Sequence, residues 1–159
     1  MATLTPPATK PYAVISAERG ESPLDIPEAM FVDAYKRHGA LLLRGFTLDF
    51  ERFRALTDRY CSSSVFNESP GREVLDDELN IQTVNIGKEA FPLHPELSRE
   101  PWKPDIAFLW CMNPPSVGGE TTVCDGIEIV KNLPAPVRDE FAPGRLRYTR
   151  ETSPGVRKY

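Results

Sequence analysis

The sequence predicts an α+β fold, in which a β-rich barrel or sandwich is flanked by helices. Short apolar segments bounded by glycine or proline recur along the chain, and two longer amphipathic segments stand near its front. The short segments are typical of strands and the longer ones of helices. No internal repeat or linker divides the 159 residues, so we expect one domain.

Two helices and an intervening strand are predicted in the first half. The first helix is expected over residues 27–38, because a proline suits its first position and Gly39 follows as a stop. The apolar run 40–43 is too short for a helix and lies between glycines, which favours a buried strand. The second helix is expected over residues 49–61, with its first residue, an aspartate, as the cap.

The second half predicts shorter elements separated by turns. Residues 62–80 are polar and predict a loop. Four later segments have the apolar or alternating pattern of strands: residues 81–86, 106–112, 121–124 and 146–151. Gly118 and Gly119 predict a turn before the third of them. A short helix is expected over residues 127–133, with Asp125 near its start.

The composition excludes several classes of protein. The net charge is −4 and no long run of one sign occurs, so we expect no nucleic-acid partner. The longest apolar run is far short of the roughly 20 residues that span a bilayer, so we expect no membrane partner. Three cysteines without a CxxC pair argue against a disulfide framework and favour the cytoplasm. Residues 1–12 are proline-rich and are expected to be a flexible leader before a domain over residues 13–159.

One of the two histidines has a spacing that suits metal binding. His38 ends the first predicted helix, where its charge suits the helix dipole, so we interpret it as structural. His94 is followed two residues later by Glu96. In an extended segment such residues point to one face, with Cα atoms roughly 6–7 Å apart. They would supply two thirds of the two-histidine, one-carboxylate triad of non-haem iron(II) oxygenases.

The alternative for His94 is a surface histidine near a solvated glutamate. Acidic residues occupy 23 of 159 positions, so a histidine followed by an acid two residues later arises often by chance. The spacing alone therefore favours a surface histidine, and a metal role for His94 needs support from the surrounding sequence.

The surrounding sequence resembles the taurine dioxygenase-like family of iron(II), 2-oxoglutarate-dependent oxygenases. The stretch FPLHPELSREPWKPDIAFLWCMNPPSVGGETTVCDG (residues 91–126) is similar to the metal-binding core of that family. Upstream, HGALLLRGF (residues 38–46) is similar to the family's entry strand. The glutamate in the motif resembles the branch of clavaminate synthase-like and syringomycin-type hydroxylases. The resemblance covers roughly residues 27–151.

The resemblance implies a double-stranded β-helix (jelly roll) with flanking helices. It also implies that His94 and Glu96 are iron(II) ligands, and that Thr121 hydrogen-bonds the carboxylate of the co-substrate 2-oxoglutarate. The alternative for Thr121 is an ordinary strand residue. The implied activity is that of a hydroxylase-type dioxygenase, whose substrate is a small amino-acid-like or carrier-bound molecule.

Part of the family pattern is not found in these residues. The family has a second iron-binding histidine and then an arginine that pairs with 2-oxoglutarate, but no histidine follows His94. We therefore expect the N-terminal portion of an oxygenase domain, with a jelly roll incomplete at the C-terminus, a missing C-terminal half as its partner, and little turnover alone. The alternative is a non-catalytic binding or assembly protein on a degenerate oxygenase fold.

Overall fold

The computed structural model describes most of the chain. The described residues are 1–65, 71–85, 87, 89, 91–98, 103–142 and 144. Their elements in chain order are β1 (Thr3–Thr5), β2 (Ala13–Ser16), a 3-10 helix (Pro23–Asp25), α1 (Glu28–His38), β3 (Leu41–Arg44), α2 (Phe50–Tyr60), β4 (Val74–Asp76), β5 (Ile81–Gln82), α3 (Gly126–Lys131) and α4 (Ala135–Phe141). None of the helices in these described ranges is long and apolar enough to cross a membrane.

A three-stranded sheet in the order β1-β2-β3 organises the front of the molecule. Strand β2 pairs antiparallel with β1 and parallel with β3, so that Ile15 lies opposite both Leu4 and Leu43. Parallel neighbours require a crossover connection, and α1 supplies it. Ala13 and Ile15 alternate along β2 and are fully buried, which fixes the face that β2 turns to the core.

The core lies between this sheet and the two long helices. Ile15, Ile26 and Phe31 are buried together, and partly buried side chains from both halves of the chain pack around them. The ring of Tyr60 in α2 stacks on Phe31 in α1, with ring centroids 4.1 Å apart. Burying a phenylalanine of this kind contributes about 1.5–3 kcal/mol, and its stacking on Tyr60 joins the two helices through a buried side chain.

The predicted ends of the two long helices are confirmed. Helix α1 begins at Glu28, one residue later than predicted, because Pro27 is its N-cap. It ends where Gly39 adopts a φ of 73° and donates its N–H to the carbonyl of Tyr35. At the start of α2 the Asp49 carboxylate accepts the N–H of Arg52 at 2.8 Å. Because these capping interactions involve only neighbouring residues, the helix ends can be predicted from the sequence.

Two strands of the front sheet were not predicted. Residues 1–12 were expected to be a flexible leader, yet Thr3–Thr5 pairs along β2 and Ala2 is buried. The prolines that suggested flexibility all follow β1 in the chain, so they do not interrupt its ladder. Such short strands are stabilised by partners distant in sequence, which local pattern does not reveal.

The described residues of the second half form fewer strands than predicted. Residues 106–112 and 121–124 form no ladder with other described residues, and β5 stops at Gln82 instead of residue 86. Burial along residues 106–111 still alternates with the period of two that is typical of a strand. The predicted strand at residues 146–151 lies outside the described residues. The jelly roll therefore stays a prediction.

The turn and short helix before the C-terminal part are confirmed. Gly118 and Gly119 both have a positive φ, of 72° and 74°. A Cβ on Gly119 would lie 2.9 Å from Cγ of Pro115, so only glycine fits there. Helix α3 begins as predicted after Asp125, whose carboxylate accepts the N–H groups of Ile127 and Glu128. Neither α3 nor the unpredicted α4 contains a buried residue.

One hydrogen bond and several aromatic ring contacts attach residues 103–112 to the helices. The Tyr35 hydroxyl donates to the backbone carbonyl of Asp105 at 2.7 Å, and Trp110 contacts Phe50 and Phe53 with centroids 5.8 Å apart. Burial, and then the nearby Asp105 carboxylate, raise the pKa of Tyr35, so its hydroxyl keeps the proton that it donates.

We expect Tyr35→Phe to lower the free energy of unfolding by about 0.5–1.5 kcal/mol, because it removes this hydrogen bond and little else. Urea denaturation followed by circular dichroism measures the change. Tyr12→Phe is the matched control, since the Tyr12 hydroxyl makes no hydrogen bond to another described residue. Equal stability of the two variants would contradict the assigned role of Tyr35.

Candidate metal site

The predicted ligands lie in a loop whose shape comes from local interactions. The spacing predicts an extended segment here, but in the structure Glu96 begins a turn in which the N–H of Ser98 donates to the carbonyl of Pro95 at 3.3 Å. Leu97 has a φ of 49°, a left-handed conformation that costs a non-glycine residue about 1–3 kcal/mol. The strained residue thus stands directly beside a predicted ligand.

The structure brings the two predicted ligands together. Nε2 of His94 and Oε1 of Glu96 are 3.6 Å apart, and the two side chains are 41% and 45% exposed. Nitrogen and carboxylate ligands lie about 2.0–2.2 Å from a divalent ion such as zinc, so two donors can share an ion when they are less than about 4 Å apart. The pair therefore fits a metal ion reached from solvent.

A backbone carbonyl determines which nitrogen of His94 is available. Nδ1 of His94 lies 2.8 Å from the carbonyl oxygen of Pro92. A carbonyl oxygen only accepts hydrogen bonds, so Nδ1 carries the hydrogen and the neutral ring keeps a lone pair on Nε2. Metal-binding histidines have this arrangement, in which the second nitrogen donates to a carbonyl or carboxylate.

This tautomer places two electron-rich atoms opposite each other. In the neutral ring, the Nε2 lone pair faces a carboxylate oxygen at 3.6 Å, and neither atom donates a hydrogen. A cation between them removes the resulting repulsion. That cation is either a metal ion or a proton on Nε2, which would make the pair an ordinary surface ion pair. The chemistry of the donor set thus fits a metal ion, and it also fits an ordinary surface ion pair.

Phe91 and Pro92 contact His94, and the sequence did not predict these contacts. The Phe91 ring meets the imidazole of His94 edge to face, with centroids 4.7 Å apart and planes at 86°. In the sequence, the only indications of these contacts are the aromatic residue three positions before His94 and the proline two positions before it.

The described residues bring together two predicted ligands, one fewer than the triad requires. In the described ranges no group of three or more histidine, cysteine, aspartate or glutamate side chains is placed to hold a metal ion. All three cysteines are free, but none joins the pair. Because affinity depends on ligand number and on the surrounding hydrogen bonds, we expect this pair to bind a metal ion weakly by itself.

Thr121 makes no hydrogen bond to the pair within the described part of the chain. It is exposed and lies between the Gly118–Gly119 turn and α3. An open hollow of about 620 Å³ lies along the start of α3 and is lined in part by Cys124, Asp125 and Glu128. Neither His94 nor Glu96 lines it. The role of Thr121 toward 2-oxoglutarate stays a prediction.

Comparison with known families gives one match, which covers nearly the whole sequence. The model of the family described as "Taurine catabolism dioxygenase TauD, TfdA family" matches residues 6–158, a range that contains His94, Glu96 and Thr121. Comparisons with curated proteins and with solved structures gave no match. Because the family match spans far more than half of the residues, the chain belongs to the taurine catabolism dioxygenase TauD, TfdA family.

Proposed function

We propose that this chain carries part of the catalytic site of a hydroxylase-type dioxygenase, with His94 and Glu96 as two of its three iron ligands. Membership of the family implies an iron(II)- and 2-oxoglutarate-dependent dioxygenase in general. One observation supports the proposal for these residues. Nε2 of His94 faces Oε1 of Glu96 at 3.6 Å, while Nδ1 donates its hydrogen to the Pro92 carbonyl.

Each residue has a defined part in this proposal. Iron(II), when bound with 2-oxoglutarate and oxygen, supplies the oxidation of a C–H bond coupled to loss of carbon dioxide from 2-oxoglutarate. His94 contributes a neutral nitrogen and Glu96 a negative oxygen, which offsets part of the charge of a divalent ion. The carbonyl of Pro92 holds the imidazole proton away from the metal side. The Thr121 hydroxyl is proposed to donate to a carboxylate oxygen of 2-oxoglutarate.

The substrate is proposed to be a small amino-acid-like or carrier-bound molecule. The support is the resemblance of the glutamate-containing motif around His94 and Glu96 to the amino-acid hydroxylase branch. The exposure of both ligands is compatible with access of such a substrate from solvent.

The remaining ligand is proposed to come from outside these 159 residues. No histidine follows His94 in the sequence, and the described residues offer no third ligand at the pair. A C-terminal half with a histidine and then an arginine would complete the triad and bind 2-oxoglutarate.

A second candidate function is a non-catalytic binding or assembly protein. It is favoured by the two-ligand site and by the apolar side chains that α3 and α4 leave exposed, such as Ile127 and Phe141. The DNA that follows the codon for Tyr159 separates the candidates. An open frame with a histidine codon, then an arginine codon roughly a dozen positions later, supports the oxygenase, whereas a stop codon supports the binding protein.

We expect His94→Ala and Glu96→Gln each to weaken the binding of Mn²⁺ to the chain by more than about tenfold, because each removes one ligand. Anaerobic calorimetric titration, with Mn²⁺ in place of iron(II), measures the affinity. The matched controls are His38→Gln, at the end of α1, and Glu78→Gln, in an exposed turn. If the controls weaken binding as much as the site variants, the ion is held elsewhere.

We expect the chain alone to show no turnover above background with iron(II), ascorbate and 2-oxoglutarate, because two ligands hold the metal weakly and no second histidine follows His94 in the sequence. The measurement is succinate release, compared with a reaction that lacks the protein. Robust succinate release that disappears in Glu96→Gln would show that the chain forms a complete site without a further half.

A further inference from the structure

We propose that Phe91 is a positioning residue, whose ring acts with the Pro92 carbonyl to hold His94 as the Nδ1–H tautomer with Nε2 turned toward Glu96. The inference deepens the proposed function and rests on it, since an oriented Nε2 matters only if it meets a cation. It concerns the metal-free chain as well, because both contacts are made between the chain's own residues.

Neither regular secondary structure nor deep burial fixes the orientation of the His94 ring. It lies in residues 91–95, which belong to no helix or strand, and its side chain is 41% exposed. An exposed imidazole rotates about two side-chain bonds, and a half-turn of the ring carries Nε2 away from Glu96. The orientation seen in the structure therefore requires specific contacts, and the structure shows two of them besides the Glu96 carboxylate itself.

The Phe91 contact has the geometry of a favourable aromatic pair. The planes meet at 86° with centroids 4.7 Å apart, which is the edge-to-face arrangement. A pair of this kind favours the held orientation by about two- to tenfold over one without the contact. Phe91 is 67% exposed, so it is not a core residue, and its described ring contact is with His94.

The Pro92 carbonyl supplies the second restraint. The proline ring fixes φ of residue 92, which limits the directions that its carbonyl can take. The carbonyl accepts from Nδ1 at 2.8 Å, and this bond selects the tautomer that exposes the Nε2 lone pair. Phe91 thus limits rotation of the ring, while Pro92 selects the nitrogen that carries the hydrogen.

The first test is the tautomer of His94 in the metal-free chain. Long-range ¹H–¹⁵N NMR in alkaline buffer reports which ring nitrogen is protonated, and His38→Gln assigns the signals because the chain has two histidines. We expect the Nδ1–H tautomer in the wild-type chain, a shift toward the Nε2–H tautomer in Phe91→Ala, and the wild-type spectrum in Phe91→Tyr, which keeps the ring.

The second test is Mn²⁺ affinity measured on the same proteins. We expect Phe91→Ala to weaken binding by about two- to tenfold, and Phe91→Tyr to restore it. Phe141→Ala is the matched control, since it removes a comparably exposed phenylalanine from α4 and should change neither the spectrum nor the affinity.

The outcomes separate this inference from the function on which it rests. An unchanged tautomer and an unchanged affinity in Phe91→Ala overturn the positioning role, even if the wild-type chain binds Mn²⁺. A tautomer that depends on Phe91 in a chain that binds no Mn²⁺ overturns the metal function and leaves the positioning role standing. A wild-type Nε2–H tautomer overturns both the role of Pro92 and that of Phe91.

Discussion

The hydrogen bond from Nδ1 of His94 to the Pro92 carbonyl is the contact on which the candidate site depends. It decides which nitrogen carries the hydrogen, and so it decides what faces Glu96. With the hydrogen on Nδ1, the pair presents a lone pair and a carboxylate oxygen to the same space, an arrangement that favours a cation between them. With the hydrogen on Nε2, the ring would instead turn an N–H toward the Glu96 carboxylate, and no further cation is required between them.

The scaffold and the site are stabilised in different ways. The front of the molecule is a sheet crossed by α1, and its buried residues come from elements far apart in the chain. The loop at residues 91–98 is instead shaped by contacts between near neighbours: a turn at its end, a proline carbonyl and one aromatic pair. Leu97, with its positive φ, lies in this turn, and its strain is tolerated within that local arrangement.

The sequence predicted the local features better than the distant ones. Gly39, Asp49 and Asp125 fix helix ends through their own backbone or carboxylate, so the ends of α1 and α2 and the start of α3 could be found in the sequence. The formation of strands β1 and β2 depends on pairing with other strands, which a local sequence pattern does not predict. Residues 106–111 show the burial alternation of a strand, but a ladder also needs a neighbour, which the described residues do not supply.

The same distinction applies to the site, where pairing was predictable and orientation was not. A spacing of two placed His94 and Glu96 near each other, but the spacing does not specify a tautomer. That choice comes from a backbone oxygen and from a ring whose importance depends on the fold of the loop. Orientation and ligand number then contribute separately to binding: the local contacts orient Nε2 toward Glu96, while the number of ligands sets how tightly an ion is held. A pair that is already oriented needs less rearrangement when a third ligand joins it, because the imidazole has lost its rotational freedom before the ion arrives.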